Sequence, residues 1–468
     1  MRVLLVSPSP LNAGEWTIPD FDMREKCSLP ISIGILREVI KHTHQVHMLF
    51  YDHSINDIPQ ILREADKSDV VGFSVNHLYL YPAAREIVRI LKEEETEATI
   101  ILGGVFSTRH ARFVCQDGAD IVVRGEGEVV FPQVLDALEN GKDLSSIKGV
   151  MYKEGRNVIN TGLAPFTDLD SLPPVCYDAL PLKEVNYTVI TCETSRGCPK
   201  GCSFCAIYSK GRWRGCSPEK SLEVMEHAQK YVKYSQAPFV FLGDSNFAAN
   251  INRVKEIAEL VDDEIPSYTP MRLDDVNEDT IKYFQKIGFK AMCIGIESAS
   301  ETILASINKQ IDAKSIGKKL QLLIDHGIAP RTSFIVGLPN EDRNSVISTA
   351  QFIRSLINQY GKNLHLLVFP CRRDIVAKAA EFEMCKSIET VADSVISSHD
   401  QEFRQWALAM VYLMNVYHET LDPEDQVLMF DTLIEASSRA VVEMARKYDG
   451  EMPPQFCGLQ RYFESDGS

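Results

Sequence analysis

Three cysteines, Cys198, Cys202 and Cys205, lie within one short stretch in the spacing C-x3-C-x2-C. Soft thiolate ligands select iron–sulfur clusters or zinc. A loop that carries three thiolates can grip one corner of a 4Fe–4S cube. Because the cube wants four ligands, one iron is left open to a small molecule. The same residues also admit a zinc knuckle in which Cys192 or Cys216 supplies a fourth ligand, although zinc sites usually come as paired C-x2-C units. The β-branched run Val189, Ile190 and Thr191 precedes the cysteines and reads as a strand, so the loop hangs from a strand end.

From that strand onward apolar runs alternate with amphipathic stretches. Strands are expected at Tyr187–Thr191, Phe239–Leu242, Tyr268–Arg272, Ala291–Ile296, Thr332–Val336 and Leu364–Phe369. Their carboxyl ends carry polar groups. Asp244 lies in G-D-S-N-F, Arg272 and Asp274 in M-R-L-D-D, Glu297 in I-G-I-E-S, and Gly337 in F-I-V-G-L-P-N-E. Asp244 before Ser245 and Glu297 before Ser298 also fit helix N-terminal caps. Lys210, Arg212 and Arg214 follow the cysteines, as solvated charges or as ionic contacts to a ligand.

An earlier alternation occupies the first 150 or so positions. Strands are expected at Arg2–Ser7, Gln45–Tyr51, Val70–Val75, Thr99–Leu102 and Asp120–Arg124, with helices at Ile31–Lys41, Ile58–Ala65, Tyr81–Leu91 and Glu128–Leu138. Continuous apolar strands between amphipathic helices predict a parallel sheet covered on both faces. Ligands then sit beyond the carboxyl ends of the strands. Those ends hold Ser7-Pro8-Ser9, Ser74-Val75-Asn76, Gly103-Gly104 and Arg124-Gly125-Glu126-Gly127-Glu128. Small residues there let a flat ligand lie against the backbone, and each glycine pair also fits a simple strand-to-helix turn. Gly149–Lys153 and Asn157–Asn160 read as a hairpin, and the proline-rich segment 161–182 as an ordered crossover.

The 468 residues suggest two or three domains, and the net charge of −16 argues against a nucleic-acid partner. No signal-peptide core and no membrane-spanning run is visible. The twelve cysteines in so long a chain read as reduced thiols, so a cytoplasmic protein is expected.

The cysteine spacing after a strand, with Phe204 just before the last cysteine, resembles the radical S-adenosylmethionine superfamily. The resemblance implies a partial (β/α)6 barrel of the TIM type, a 4Fe–4S cluster on Cys198, Cys202 and Cys205, and S-adenosylmethionine chelated to the open iron and cleaved to a 5'-deoxyadenosyl radical. It implies cofactor contacts from Phe204, from Asp244 to the methionyl ammonium, from Arg272 to the carboxylate, from Glu297 to ribose or ammonium, and from Gly337 in the adenine turn. Residues 1–140 resemble the cobalamin-binding domain of one large subfamily, most specifically in L-G-G-V-F-S-T and I-V-V-R-G-E-G-E. Cobalamin contacts are implied for Ser74, Asn76, Gly103, Gly104, Gly125 and Glu126. The D-x-H-x-x-G loop of mutase-type domains is absent: the first loop reads S-P-S-P-L-N-A-G-E-W-T, and Asp52-His53 lacks the spacing. A corrinoid bound without that histidine and a domain that has lost cobalamin both fit this departure.

The expected architecture is α/β. A doubly wound cobalamin-binding-like domain (1–145) is followed by hairpin and linker (146–186), radical barrel (187–370) and a helical C-terminal domain (371–468). In the last, Phe403, Ala407, Met410, Met414, Tyr417 and Leu421 fall at helical spacing, as do Val427, Phe430, Ile434, Val441 and Met444. These stripes read as core packing. Cys371, Cys385 and Cys457 are too scattered for a second cluster.

The resemblance implies a cobalamin-dependent methyltransferase acting on an unactivated carbon or a phosphinate phosphorus. No catalytic residue is assigned from the sequence. The substrate class stays open among a small molecule, a carrier-bound group and a peptide, and a flavodoxin or ferredoxin is expected as electron donor. A non-methylating radical enzyme (epimerase, cyclase or rearrangement) and a corrinoid- or cluster-binding sensor are the alternatives.

Overall fold

The computed structural model describes residues 1–8, 29–51, 58–76 and 80–371, apart from positions 156, 186, 188, 206 and 208, together with residues 406, 410, 433, 435 and 441. The chain divides into two compact units, one built mainly on residues 1–194 and 214–241, the other on 195–213 and 242 onward.

The first unit holds strands β1 (Arg2–Pro8), β2 (Gln45–Tyr51), β3 (Val70–Ser74), β4 (Thr99–Gly103), β5 (Ile121–Val123), β6 (Val150–Glu154) and β7 (Asn157–Asn160) in the order β2-β1-β3-β4-β5-β6-β7. Helices α1 (Ile31–Ile40), α2 (Ile58–Ala65), α3 (Tyr81–Glu93), α4 (Val105–Arg109), α5 (Ala111–Gln116) and α6 (Gly127–Asn140) cover it.

The strand sequences are apolar throughout because alternate residues feed two separate cores. Leu4, Val71, Phe73, Ile100 and Val122 pack with α2, α3, α4 and α5. Val3, Leu5, Val70, Ile101 and Ile121 pack with α1 and α6. This is the doubly wound arrangement expected. The order reverses at β1, whose parallel neighbours are β2 and β3, so a ligand crevice is expected at the ends of β1 and β3.

The hairpin extends this sheet: β6 pairs antiparallel with β5, and β7 with β6. Sequence periodicity finds the hairpin but not its partner. It also misses α4 and α5, of 5 and 6 residues, because such short helices span too few turns to show a period.

Strands β8 (Ile190–Cys192), β11 (Val240–Leu242), β12 (Ser267–Met271), β13 (Phe289–Glu297), β14 (Ala329–Val336) and β15 (His365–Pro370) form a six-stranded sheet in the order β15-β14-β13-β12-β11-β8. Parallel pairing joins β12 to β13, β13 to β14 and β14 to β15. Winding each strand next to the previous one is the rule of a (β/α) barrel, here left open. Between β8 and β11 lie β9 (Ser195–Cys198) and β10 (Arg212–Gly215), paired with one another and not anticipated.

Helices α7 (Pro218–Gln229), α8 (Ile251–Leu260), α9 (Ile281–Ile287), α10 (Glu301–Ser306), α11 (Ile316–Asp325) and α12 (Arg343–Tyr360) separate the strands. Of the C-terminal stripes, Met410 and Val441 are described, helical and buried, as are Trp406 and Leu433. The other stripe residues, with Cys385, Cys457, Asp52-His53 and the first loop beyond Pro8, lie outside the described residues. Among the described residues no helix is long and apolar enough to cross a membrane.

Helix α12 starts on a reciprocal cap. Asp342 accepts from the Ser345 backbone N–H at 2.8 Å, and the Ser345 hydroxyl accepts from the Asp342 N–H at 2.9 Å. The Ser345 backbone bond, chief among the causes, holds the Asp342 carboxyl below its ordinary value of 3.8. A depressed carboxyl contributes stability that is present above its unfolded pKa and lost as pH falls through the folded one. Asp342→Ala should therefore cost about 1 kcal/mol at neutral pH. Denaturant unfolding should show the gap to the parent narrowing below the ordinary carboxylate range.

Candidate functional site

The cysteine loop leaves β9 at Cys198. Gly197 sits at φ +88°, and any side chain there would run into the Arg212 carbonyl oxygen, so the close approach of the chain after the loop requires glycine. Backbone bonds fix the loop: Gly211 N–H to Cys198 O at 2.9 Å, Cys205 N–H to Cys202 O at 3.2 Å and Ser203 N–H to Ile307 O at 2.9 Å. Lys210 Nζ donates to the Cys202 carbonyl at 3.2 Å. Burial pushes the Cys205 thiol up, and the neighbouring Cys202 and Cys198 sulfurs add to that. A metal overrides such a shift, since it takes the thiolate outright. Among the described residues no three His, Cys, Asp or Glu side chains are grouped so as to hold a single ion. The loop carries three thiols, Cys198, Cys202 and Cys205, none of them in a disulfide.

Asp244 follows β11, is fully buried, and accepts from the Ser195 hydroxyl at the start of β9. It caps no described helix, since the caps nearby are Asn246 and Asn250. Glu297 ends β13 in the left-handed region, φ +73°, where the pairing with β14 slips register between Gly295 and Glu297. A non-glycine residue held there costs about 1–3 kcal/mol and persists only when its surroundings impose it.

The surroundings are Lys309, whose Nζ lies 2.7 Å from Glu297 Oε1, each side chain only 7% exposed. A side chain at Gly295 would strike the Glu297 carboxylate, which explains the glycine of I-G-I-E-S. Ser300, not Glu297, caps α10. Lys309 Nζ also sits 5.9 Å from the Phe204 ring centre. Sequence reasoning missed Lys309, since a lysine after a short helix looks like an ordinary surface charge.

Arg272 is buried just past β12. It donates to Asp274 through Nε at 2.9 Å and Nη2 at 2.7 Å, to the Lys309 carbonyl through Nη2, and to Cys202 Sγ through Nη1 at 3.7 Å. The structure thus links Cys202, Arg272, Lys309, Glu297 and Phe204 in one chain of contacts. Gly337, at φ +87°, opens the turn after β14. Its N–H and that of Leu338 donate to Glu341 Oε2, the second at 3.1 Å. Burial, opposed by those two bonds, pushes the Glu341 carboxyl up to about 8. Its Oε1 is buried without a partner among the described residues. Leu338 and Phe204 share a small apolar cluster with Ile303, Leu304, Ile307 and the buried Cys371.

In the first unit, the Ser74 hydroxyl pairs with that of Ser32 at 2.8 Å, and Asn76 Nδ2 reaches both at 3.5 Å. Asn76 Oδ1 accepts from Val105 N–H at 3.3 Å. This polar group stands at the end of β3, on the switch-point side, and Ser107 Oγ nearby in sequence is buried without a partner among the described residues.

The glycines divide. At Gly103 a side chain would meet only Val123, at 3.8 Å. At Gly104, φ +96°, it would meet the Val75 carbonyl oxygen at 2.5 Å, and at Gly125, φ +106°, it would meet Ala164 at 2.9 Å. The close approach at Gly104 and Gly125 is therefore to the protein's own chain. Glu126 is occupied as well: it pairs with Arg214 and accepts from Thr167 N–H at 2.7 Å, while Arg214 stacks 4.3 Å over Phe166.

Residues 192–353 match the Radical SAM superfamily, and residues 24–135 match the B12 binding domain. An uncharacterized methyltransferase of Pyrococcus horikoshii is 30% identical over 349 residues, 71% of this chain and 74% of that protein. The chain belongs to the radical SAM enzymes that carry a B12-binding domain.

A relative of this radical SAM enzyme, the anaerobic magnesium-protoporphyrin IX monomethyl ester cyclase of Rubrivivax gelatinosus, is 27% identical over 376 residues, 76% of this chain and 66% of that protein. The solved structure of the cobalamin-dependent S-adenosylmethionine radical enzyme OxsB with aqua-cobalamin bound aligns with a TM-score of 0.64 at 16% identity, covering 98% of this chain and 74% of that one. It shows the shared fold. Membership brings a 4Fe–4S cluster, S-adenosylmethionine and cobalamin, and sets aside the zinc knuckle and the sensor. The residues present fit: three thiols on one loop, buried charges and an unpartnered carboxyl oxygen at the strand ends, and the hydroxyl and amide group at the switch point.

Removing one partner of a buried ion pair strands the other charge at a cost of about 3–5 kcal/mol. Glu297→Ala should destabilise by that order. The double variant Glu297→Ala/Lys309→Met should lose clearly less than the sum of the two single losses, as a double-mutant cycle of unfolding free energies would show.

Proposed function

We propose that this radical SAM enzyme is a cobalamin-dependent methyltransferase acting on an unactivated carbon or phosphinate phosphorus. One observation carries the proposal: B12-binding and radical SAM segments occur in a single chain whose 30% identical relative is named a methyltransferase. When bound, the cluster with S-adenosylmethionine supplies a 5'-deoxyadenosyl radical, and cobalamin supplies a transferable methyl group.

The chain's share is binding, orientation and exclusion of water. Cys198, Cys202 and Cys205 hold three irons. Asp244, buried and held by the Ser195 hydroxyl, receives the methionyl ammonium. Glu297, held at its strained position by Lys309, faces the ribose or the same ammonium. Gly337, braced by Glu341, would shape the adenine turn, and Phe204, beside Lys309 and Leu338, would contribute an apolar contact to the bound cofactor. Ser74, Asn76 and Gly103 seat the corrin, while Gly104, Gly125 and Glu126 keep that end of the sheet in shape. A flavodoxin or ferredoxin in the cytoplasm serves as electron donor, and the substrate is a small molecule, a carrier-bound group or a peptide.

Two measurements test this. Cys198→Ala, Cys202→Ala and Cys205→Ala should each lose most iron and sulfide after anaerobic reconstitution, because two thiolates retain a cube poorly. Cys192→Ala and Cys216→Ala should stay near the parent. Equal loss from either of the latter pair would remove the three-thiolate assignment.

For the reaction, protein prepared anaerobically with cobalamin and supplied with reductant and substrate should form S-adenosylhomocysteine alongside 5'-deoxyadenosine. A labelled S-adenosylmethionine methyl group should appear in the product. The cyclase relative favours a second reading, radical chemistry without methyl transfer. Formation of 5'-deoxyadenosine alone, with an unlabelled product, would select it.

A further inference from the structure

Arg272 is poorly placed to clamp a methionine carboxylate. A guanidinium has five N–H donors, and four are committed: two to Asp274, one to the Lys309 carbonyl and one to Cys202 Sγ. At most one remains, whereas a carboxylate is best held by two parallel bonds. The arginine is also fixed on three sides, by Asp274, by the chain after α10 and by the cysteine loop, and its side chain is only 7% exposed.

The donor to the sulfur is therefore a buried cation in a set position 3.7 Å from Cys202 Sγ. Of two lysines at this loop, Lys210 donates to the Cys202 carbonyl and Lys200 to Gln310 Oε1 at 3.5 Å.

We infer that Arg272 sets the reduction potential of the cluster by hydrogen bonding to the Cys202 sulfur. Reduction adds one negative charge to the cluster, and part of that charge falls on its thiolate ligands. A buried donor cation stabilises the reduced form more than the oxidised one, so it raises the potential. Hydrogen bonds to sulfur and local net charge are established levers on iron–sulfur potentials. Asp274 offsets part of the charge while aiming the fork, so the guanidinium acts through its direction as well as its sign.

This inference rests on Cys202 being a cluster ligand, which the iron content of Cys202→Ala tests separately. It does not depend on methyl transfer.

The test is a redox titration of the full-length, cluster-loaded protein without S-adenosylmethionine, followed by electron paramagnetic resonance of the reduced cluster. Arg272→Gln removes the charge, and Arg272→Lys keeps the charge but loses the planar fork. Both should retain iron and sulfide. Arg272→Gln should make the cluster harder to reduce by on the order of tenfold, a fall of about 59 mV for one electron, and Arg272→Lys should shift it less in the same direction. If Arg272→Gln fails to hold the cluster, the potential of Arg272→Lys decides. An unchanged potential in the cluster-bearing variants, with weakened S-adenosylmethionine binding, would make Arg272 a carboxylate ligand and overturn the inference. Loss of the cluster from both variants would reduce it to a brace for the loop and overturn it equally.

Discussion

The second unit depends on keeping charge out of water at the ends of its strands. Asp244, Arg272, Glu297, Lys309 and Glu341 are all buried, and an isolated buried charge is far too costly to leave alone. The Glu341 carboxyl, pushed up to about 8, avoids that cost by holding its proton. Each has a partner, distant or local: Asp244 has Ser195, Arg272 has Asp274 two residues on and the Lys309 carbonyl, Glu297 has Lys309, and Glu341 has the N–H groups of Gly337 and Leu338 in the same turn. The Ser195 bond ties the end of β11 to β9, and Arg272 ties the end of β12 to the cysteine loop through Cys202 Sγ. Buried ion pairs give little net stability compared with apolar packing. Two of these strand ends carry an ion pair, Arg272 with Asp274 and Glu297 with Lys309, and the other two hold a buried carboxyl on hydrogen bonds.

The strain at Glu297 follows the same logic. A glycine would take φ +73° without penalty, yet the position carries a carboxylate. The register slips by one residue beside it, so that Glu297 pairs with Phe334 while its carboxylate meets Lys309. The local cost is met by the pairing, and the result is a carboxylate whose direction is set before any ligand arrives.

Most of the fold was legible because parallel strands buried on both faces must be apolar without interruption. β2 and α2 match their expected bounds outright, and β13, β14 and β15 fall within a few residues of theirs. What escaped was short or non-local. The helices after Gly104 span too few residues to show a period, and the pairing of β6 with β5 leaves no mark in either strand's own sequence. In the site, residue type at a strand end sufficed to find Asp244, Arg272 and Glu297. Lys309 did not lie at a strand end, and only the folded chain brings it to Glu297. Arg272 was found for its charge, but what it touches depends on where the cysteine loop closes.

The glycines of the first unit show why composition at a strand end is an ambiguous sign of a ligand. Gly103 and Gly104 are adjacent and identical, yet a side chain at the first would make only an ordinary contact with Val123 and at the second would strike the Val75 carbonyl. Only the first has room to spare for an approaching group. Gly104 lets the chain turn from β4 into α4, which places Asn76 Oδ1 against Val105 N–H and settles the polar group at the end of β3. Gly125 does the same against Ala164, and Glu126 then anchors Arg214, the residue through which the chain returns from the cysteine loop to the first unit. Gly104 and Gly125 thus serve the backbone, and the turn at Gly104 sets Asn76 beside the Ser74 and Ser32 hydroxyls.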